Sequence, residues 1–366
     1  MEKLRAGIIG ATGMVGQRFI SLLANHPWFQ VSCVAASSRS AGKTYREAVG
    51  DRWAFSWDIP AEAAGMTVMD ASKIDEISGL VDFVFCAVDM KKDEIRALEE
   101  AYARHEIPVV SNNSACRGLE DVPMVVPEIN AAHLDVIPTQ RKRLGSTRGF
   151  IAVKPNCSIQ SYVPALTPLL DFEPTEVSVC TYQAISGAGK TFKTWPEMVD
   201  NVIPYIGGED EKSEQEPLKL WGKVQDLGRG PVIVPAAEPV ISAQCLRVAA
   251  SDGHMAAVSV RFEKKATREE ILDRWNHYET EAQRLELPSA PKPFLQYFED
   301  PSRPQTRLDR DFQNGFGVSI GRLREDRIFD WRFVCLSHNT IRGAAGGGIL
   351  TAELLTRKGY LKSRKG

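Results

Sequence analysis

The chain has 366 residues and a mass of 40.5 kDa, which is long for one hydrophobic core and favours two domains. Its net charge of -2 excludes a general attraction for nucleic acid or an anionic membrane, so an anionic ligand would depend on local arginines and lysines. No apolar run reaches the roughly eighteen residues of a membrane-spanning helix, and we expect no signal peptide, because the first residues have no apolar h-region followed by a small-residue cleavage site. The seven cysteines are scattered without a CxxC or Cys/His cluster, so we expect no metal site and a cytoplasmic location.

In the first half of the chain, segments typical of strands alternate with segments typical of helices. The run VDFVFCAV at residues 81–88 is apolar throughout, as expected for a parallel strand buried on both faces. This alternation predicts an α/β fold with a Rossmann-type, doubly wound parallel sheet over residues 1–153. The predicted strands are residues 5–9, 31–36, 81–88 and 108–110, and the predicted helices are residues 14–25 and 91–105.

The pattern changes after the basic segment QRKRLGSTRG at residues 140–149. This segment is short and has no interleaved aromatic residues, so it predicts a solvated loop at a domain border and not a nucleic-acid patch. Residues 154–338 are predicted to form a second, α+β domain with a mixed, largely antiparallel sheet, and residues 339–366 to complete the first domain. The predicted strands are 177–183, 231–234, 244–250, 254–262 and 316–323, and the predicted helices are 268–284 and 344–358.

A glycine turn, GATGMVG at residues 10–16, follows the first predicted strand and opens the first helix. Its GxxGxxG spacing is a variant of the dinucleotide fingerprint, in which glycines let the backbone approach a pyrophosphate at the N-terminus of a helix. A plain tight turn is the alternative. The residues predicted to contact the cofactor here are Gly10, Thr12, Gly13, Met14 and Val15.

The end of the second predicted strand indicates which dinucleotide is bound. NAD enzymes usually place an acidic residue there for the ribose 2′-hydroxyl, but this chain has SSRSAGK at residues 37–43. Hydroxyl groups and cations suit a 2′-phosphate, so we predict NADP, with a solvated polar turn as the alternative. The predicted contacts are Ser37, Ser38, Arg39, Ser40 and Lys43.

Cys157 interrupts the stretch VKPNCSIQS, after Pro155 and Asn156 and just before a predicted helix. A cysteine at a helix N-terminus can be a nucleophile because the helix favours the thiolate, although an inert buried cysteine also fits. His254 follows a tight-turn signal, SDG, that joins two predicted strands, and Arg247 lies seven residues upstream. One hairpin could therefore present a base and a cation together, although a histidine there can also be an ordinary turn residue.

Seven motifs occur in one order over nearly the full length: GATGMVGQRF, ASSRSAGK, DVPMVVPEIN, KPNCSIQ, TYQAISGAG, RVAASDGH and HNTIRGAAGG. Together they resemble the aspartate-semialdehyde dehydrogenase family, in particular its archaeal and fungal branch. The resemblance implies NADPH-dependent reductive dephosphorylation of aspartyl 4-phosphate to aspartate 4-semialdehyde through a cysteine thioester, in the biosynthesis of lysine, methionine and threonine. It also implies a homodimer or homotetramer built through the second domain.

The resemblance also implies site roles at the matching positions. Within the stretch GGEDEKSEQE, Glu211 could replace Glu209 as the group that holds the substrate amine, and a solvated charged loop is the further alternative. The implied catalytic residues are Cys157 as nucleophile, His254 as general acid/base and Gln183 as the group that orients the acyl-enzyme. The implied substrate-binding residues are Arg117, Asn156, Glu209, Lys212 and Arg247, and the implied nicotinamide contacts are Ser186, Gly187 and Asn339.

Three other functions remain open at this point. The stretch SGAGKT at residues 186–191 looks like the end of a P-loop, but Ala184 stands where that motif requires a glycine. A related thioester-forming reductase, such as a malonyl-CoA reductase or another acyl-phosphate reductase, would keep the cysteine, the histidine and the NADP turn. A non-catalytic NADP-binding regulator would bind the nucleotide without any chemistry.

Overall fold

The computed structural model of the protein describes residues 2–364 and contains two main sheets. The first is a six-stranded sheet in the order β3-β2-β1-β4-β5-β6, and all its strand pairs are parallel. This confirms the predicted α/β class and the doubly wound sheet. Its strands are β1 (Leu4–Ile9), β2 (Phe29–Ala36), β3 (Val68–Asp70), β4 (Phe83–Cys86), β5 (Val109–Ser111) and β6 (Ile151–Val153).

Helices cover both faces of this sheet, which explains why β4 is apolar along its whole length. The helices of this half are α1 (Met14–Leu23), α2 (Tyr45–Val49), α3 (Ala61–Ala64), α4 (Ile74–Ser78), α5 (Lys92–Arg104) and α6 (Ile137–Leu144), and 3-10 turns are formed by Gly50–Arg52 and Ala131–Val136.

The order in which successive strands are added to this sheet reverses between the neighbours β1 and β4. Strands β2 and β3 lie on one side of this pair, and β5 and β6 lie on the other. Such a switch point leaves a crevice at the carboxyl ends of the strands, where ligands bind in open α/β sheets. Gly10 lies at this edge with a φ of +90°, and a Cβ on it would lie 2.3 Å from the carbonyl oxygen of Ala87. Only glycine fits this turn, which lets the backbone enter the crevice.

The second main sheet has seven strands in the order β13-β14-β15-β12-β7-β11-β8. It is mixed, because β7 pairs in parallel with β11 and β13 with β14, whereas the other neighbours are antiparallel. A separate antiparallel ribbon is formed by β9 and β10. The strands are β7 (Pro174–Gln183), β8 (Val202–Ile203), β9 (Lys223–Asp226), β10 (Pro231–Val234), β11 (Val240–Val248), β12 (His254–Phe262), β13 (Leu295–Phe298), β14 (Val318–Glu325) and β15 (Trp331–Ser337).

One face of the mixed sheet packs against helices and the other is open. Buried and partly exposed residues alternate along β12, and Val258 and Val260 share a hydrophobic cluster with Tyr162 and Trp275 of the covering helices. The helices in the second half of the chain are α7 (Ile159–Leu166), α8 (Glu209–Leu220), α9 (Arg268–Asn276), α10 (Glu281–Arg284), α11 (Thr306–Asp309) and α12 (Gly346–Arg357). Short 3-10 segments are formed by Thr167–Phe172, Ile185–Ala188, Pro196–Met198 and Phe312–Gly315, and a π-helical turn by Ile341–Ala345.

The C-terminal helix α12 returns to the first sheet. Its buried residues Ile349 and Leu354 share a hydrophobic cluster with Phe19 of α1 and Phe85 of β4. That residues 339–366 complete the first domain stays a prediction, and residues 365 and 366 of that segment lie outside the described residues. The boundary after residue 153 stays a prediction.

Several local predictions were wrong. The segment 140–149 is not a solvated loop, because α6 extends to Leu144 and Gln140 is buried, where its side chain donates to the carbonyl oxygens of Asp121 and Ile151. The predicted helix 268–284 is two helices, α9 and α10, and the second begins with a capping box at Thr280. The predicted strand pattern also missed β15, which pairs with β12 and β14 in the middle of the mixed sheet.

Candidate active site

Two side chains that are far apart in the sequence meet at the centre of the candidate site. The Sγ atom of Cys157 lies 3.5 Å from Nε2 of His254, although 97 residues separate them. Cys157 lies between β6 and α7, and His254 is the first residue of β12. The C-terminal segment closes the site, since a Cβ on Gly343 would lie 2.9 Å from the Cβ of Cys157.

His254 is held in one orientation and one tautomer. Its Nδ1 atom accepts a hydrogen bond of 3.0 Å from the backbone N–H of Ala184, and a backbone N–H can only donate. The neutral ring therefore carries its proton on Nε2, the atom that faces Cys157. Complete burial, with the charge of Arg247 as the second cause, lowers the pKa of His254 to about 3, so the ring is neutral near pH 7.

The thiol of Cys157 does not have the low pKa that its position before a helix predicts. Burial is the main cause that raises its pKa, and the carboxylate of Glu209 acts in the same direction. The cations Lys154, Arg117 and Arg247 oppose this shift. In addition, α7 begins only at Ile159, two residues after the cysteine. In the free protein, burial therefore outweighs the helix and the cations.

The acidic segment after Gly208 is the helix α8, so the solvated-loop alternative is wrong. Glu209 is buried at its N-terminus and accepts hydrogen bonds from Asn156 Nδ2 at 3.0 Å and Gln183 Nε2 at 3.3 Å. Lys212 forms a 2.8 Å ion pair with the same carboxylate. Glu211 is exposed, so of the two acidic residues considered for the substrate amine, Glu209 is the one that lies in the site.

Arg117 reaches the site through a second carboxylate of α8. Its Nη1 atom donates to Oε1 of Glu216 at 2.9 Å, and the other oxygen of Glu216 accepts the backbone N–H of Asn156 at 2.5 Å. Lys219, one turn further along α8, donates to the carbonyl oxygens of Arg117, Leu119 and Val122. One face of α8 thus holds both the arginine loop and the segment that carries Cys157.

Arg247 lies close to His254, but the predicted hairpin is wrong, because β7 lies between β11 and β12 in the sheet and pairs with both. Its Nη1 atom donates to the carbonyl oxygen of Ala184 at 2.7 Å, and burial lowers its pKa. Gly187 separates the two side chains, because a Cβ there would lie 2.7 Å from Nη1 of Arg247 and 3.0 Å from Nε2 of His254. The lack of a side chain at this position leaves room for a ligand between the cation and the imidazole.

The glycine turn lines a cavity of about 510 Å³ at the carboxyl ends of β1, β2 and β4. Gly10, Thr12 and Gly13 contribute to its wall, and α1 begins directly beyond them at Met14. The N-terminus of a helix beside a cavity is suited to a pyrophosphate. Val15 does not line this cavity and packs instead against the hydrophobic cluster of the first sheet.

The polar turn after β2 contributes only part of its side chains to this cavity. Ser37 and Arg39 line it, whereas Ser38, Ser40 and Lys43 are not among its lining residues. Ser37 therefore brings a hydroxyl group to the cavity and Arg39 a guanidinium, and both groups can bind a 2′-phosphate.

A second cavity of about 170 Å³ lies on the side of the glycine turn that faces the mixed sheet. Met14 and Ser186 line it. Asn339 connects this wall to the turn before His254, since its Nδ2 donates to Ser186 Oγ at 2.8 Å and its Oδ1 accepts the N–H of Gly253 at 2.7 Å. The two cavities therefore leave space for the two ends of a dinucleotide on either side of the glycine turn.

The P-loop alternative does not agree with the backbone. Residues Ile185–Ala188 form a single 3-10 turn that ends at Gly189, and the chain continues through further turns instead of starting an α-helix at Lys190. A P-loop needs that helix because its N-terminus binds the phosphates.

Comparison with known proteins supports the family that the seven sequence motifs indicated. The description "Semialdehyde dehydrogenase, NAD binding domain" matches residues 5–137, and "Semialdehyde dehydrogenase, dimerisation domain" matches residues 166–342. The aspartate-semialdehyde dehydrogenase of Aspergillus fumigatus is 42% identical over 366 residues, which cover 98% of this chain and 99% of the relative. That of Archaeoglobus fulgidus is 42% identical over 354 residues, which cover 96% and 98%. The chain belongs to the aspartate-semialdehyde dehydrogenase family.

A solved structure of a family member has the same fold. The crystal structure of aspartate-semialdehyde dehydrogenase with NADP from Candida albicans superposes with a TM-score of 0.88 at 40% identity, and the match covers 98% of this chain and 100% of the other. The predicted family, including its archaeal and fungal branch, is thereby confirmed, as is the predicted oxidoreductase class. Within residues 2–364, the structure has no helix long and apolar enough to cross a membrane, and it has no group of three or more potential metal ligands among His, Cys, Asp and Glu.

Sequence reasoning missed several residues of this site. Glu216 and Ser213 lie on the buried face of α8, and their helical spacing from Glu209 was the available signal. Lys154, three residues before the cysteine, is buried, and burial lowers its pKa to about 7. Arg52 lines the larger cavity from a 3-10 turn, and no local motif points to it.

Proposed function

We propose that this chain catalyses the reversible reaction of aspartyl 4-phosphate, NADPH and a proton to give aspartate 4-semialdehyde, NADP⁺ and phosphate. The contact between Cys157 Sγ and His254 Nε2 carries the proposal, because it pairs a thiol with a fixed N–H donor. The family supplies the substrate and the place of the reaction in amino-acid biosynthesis.

The charges around Cys157 suit a substrate with a carboxylate, an amine and a phosphoryl group. Arg247, next to His254, would bind the α-carboxylate through its planar guanidinium. Glu209 would accept from the amine, and Gln183, bonded to Glu209, would orient the acyl group. Arg117 and Lys212 would bind the phosphate.

The chemistry follows from the two central side chains. The Cys157 thiolate attacks the acyl carbon, the carbon–oxygen bond to phosphate breaks, and a thioester remains on the enzyme. When bound, NADPH would supply a hydride to that carbon. The carbon–sulfur bond then breaks, its electron pair returns to Cys157 Sγ, and the aldehyde is released. The proton on His254 Nε2 faces the reacting centre, so the imidazole can donate a hydrogen bond to the oxygen that becomes negatively charged. Asn156 fixes the cysteine segment through its bonds to Glu209 and Glu216.

The cofactor assignment depends on the two cavities around the glycine turn. Gly10, Thr12 and Gly13 would hold the pyrophosphate, and Ser37 and Arg39 the 2′-phosphate. Ser186 and Asn339 would hold the nicotinamide end. Ser38, Ser40, Lys43, Met14, Val15 and Gly187 remain predicted contacts.

The open face of the mixed sheet is our proposed homodimer interface. Exposed apolar side chains lie there or at the neighbouring edge, among them Tyr182, Val202 and Val240. A large exposed apolar surface usually marks a site of association. A homotetramer would need a second interface. The seven free thiols, all within the described residues, agree with a reducing, cytoplasmic location.

The decisive experiment measures NADP⁺ reduction by aspartate 4-semialdehyde with and without inorganic phosphate. We expect a reaction that requires phosphate and yields one NADPH per aldehyde consumed. Failure with this aldehyde but activity with another would contradict the substrate assignment and leave the thioester mechanism intact. Turnover that does not need phosphate would contradict the phosphorylating reaction itself.

A further inference from the structure

Glu216 connects two parts of the site that are otherwise separate. Its Oε1 accepts from Nη1 of Arg117 at 2.9 Å, and its Oε2 accepts the backbone N–H of Asn156 at 2.5 Å. Both side chains of the ion pair are only 10% exposed. A single buried carboxylate therefore joins the guanidinium proposed to bind phosphate to the residue directly before Cys157.

The other donors of Arg117 differ in whether they have a hydrogen-bond partner. Nη2 donates to the carbonyl oxygen of Asn112 at 3.0 Å, whereas Nε is buried and has no hydrogen-bond partner among residues 2–364. A buried N–H without a partner is costly, so it marks a place for an acceptor. Because Glu216 occupies Nη1 and not Nε, an anion can bind Arg117 while the ion pair persists.

The rest of α8 makes Glu216 a fixed point. Lys219 holds the loop of Arg117 through three carbonyl oxygens. Ser213 contacts Ser158 Oγ at 3.1 Å, and its carbonyl oxygen accepts from Tyr162 Oη at 2.6 Å, so α8 is also tied to the start of α7. The loop of Arg117 and the segment that carries Cys157 are thus both held in place by α8.

We propose that Glu216 is a positioning residue that aligns phosphate on Arg117 with the acyl group on Cys157. The inference rests on the proposed function, because it concerns the phosphate-dependent half of that reaction. In this step a phosphate oxygen forms a bond to the thioester carbon, the carbon–sulfur bond breaks, and its electron pair leaves with Cys157 Sγ. The attack needs the phosphate and the thioester in fixed mutual orientation, which the Arg117–Glu216–Asn156 connection supplies.

The test is the substitution Glu216→Gln, which keeps an oxygen for the Asn156 N–H but removes the charge that holds Arg117. The first half-reaction is followed as a burst of NADPH from NADP⁺ and aspartate 4-semialdehyde, and the second as steady-state turnover against phosphate concentration. We expect kcat/KM for phosphate to fall roughly tenfold to a hundredfold, the size expected for loss of a buried charged hydrogen bond. The burst rate should change by less than about threefold, because Glu216 does not contact Cys157 or His254.

The matched control is Glu214→Gln on the same helix. Glu214 also accepts a backbone N–H, that of Ala243 at 3.0 Å, but it lies away from Arg117. Its phosphate dependence should equal that of the unmodified protein. The proposal would be overturned if Glu216→Gln lowered the burst rate and kcat/KM for phosphate by the same factor. It would also be overturned if kcat/KM for phosphate stayed unchanged or rose. If the unmodified protein shows no phosphate dependence at all, the proposed function fails instead.

Discussion

The two sides of the site are built in different ways. On the cofactor side, Gly10, Thr12 and Gly13 of one turn line a wide cavity, and exposed side chains such as Arg39 form its rim. On the substrate side, Cys157 and His254 come from distant segments and lie among buried polar partners. The first arrangement can lose a side chain and keep its shape, whereas the second depends on each member.

This difference has a physical cause. A dinucleotide is long and flexible, so many weak contacts along backbone and rim can share the binding energy. The reacting atoms need fixed distances in a site with little water, where an unpaired buried polar group is costly. Substitutions on the substrate side should therefore reduce kcat, and those on the cofactor side should mainly raise the KM for NADPH.

The largest effect is expected for Cys157→Ser. Serine is a far weaker nucleophile near neutral pH, so kcat should fall by several orders of magnitude in the aldehyde-dependent assay. The control is Cys180→Ser, which alters another partly exposed thiol, on β7. Substantial turnover in Cys157→Ser would show that Cys157 is not the nucleophile. It would also contradict the claim that the substrate side depends on each of its residues.

The next effect is expected for Gly187→Ala. The added methyl group would meet Arg247 Nη1 at 2.7 Å and His254 Nε2 at 3.0 Å, and it would displace both groups from the reacting centre. Because small displacements of catalytic groups are expensive, kcat should fall roughly a hundredfold with little change in melting temperature. Gly65→Ala, where a Cβ has nothing within 4 Å, is the control. An unchanged kcat in Gly187→Ala would show that the substrate side tolerates displacement of Arg247 and His254. The proposed difference from the cofactor side would then be wrong.

A smaller effect with a different signature is expected for Arg39→Ala. Loss of a guanidinium at the proposed 2′-phosphate position should raise the KM for NADPH by roughly tenfold and leave kcat at saturation unchanged. The KM for NADH should change little, so the preference between the two cofactors narrows. Arg46→Ala, an exposed arginine of α2, serves as the charge-matched control. A collapse of kcat at saturating NADPH would contradict the division between rim and centre.

The smallest effect concerns acid stability. His254 has a pKa of about 3 in the folded protein and about 6.5 when unfolded, so below pH 6.5 the unfolded state binds the extra proton. Its contribution therefore reduces the free energy of unfolding as pH falls from about 6.5 towards 3, by about 1 kcal/mol at pH 5.5. Urea unfolding of the unmodified protein and of His254→Gln, at about pH 6.5 and at about pH 5.5, measures this contribution to the free energy of unfolding. Equal slopes against pH in the two proteins would show that the imidazole is not held neutral.

Local patterns were sufficient where neighbouring residues form the structure. The alternation of strands and helices predicted the parallel sheet, and the spacing of Gly10, Gly13 and Gly16 predicted the turn, since both depend on nearest neighbours along the chain. They were insufficient for the basic segment, where charged residues suggested a loop although Gln140 is buried in a helix. The buried role of Gln140 comes from partners at Asp121 and Ile151, which local composition does not reveal.

By itself the sequence determined the α/β class, the glycine turn and the family, because motifs in a fixed order and short-range periodicity are properties of the chain. Only the tertiary structure decided that His254 reaches Cys157, that Glu209 and not Glu211 enters the site, and that Glu216 joins Arg117 to the cysteine segment. It also decided the proton chemistry. Burial raises the pKa of Cys157 against the expectation from its helix, because desolvation depends on everything packed around a group and not on its neighbours in sequence.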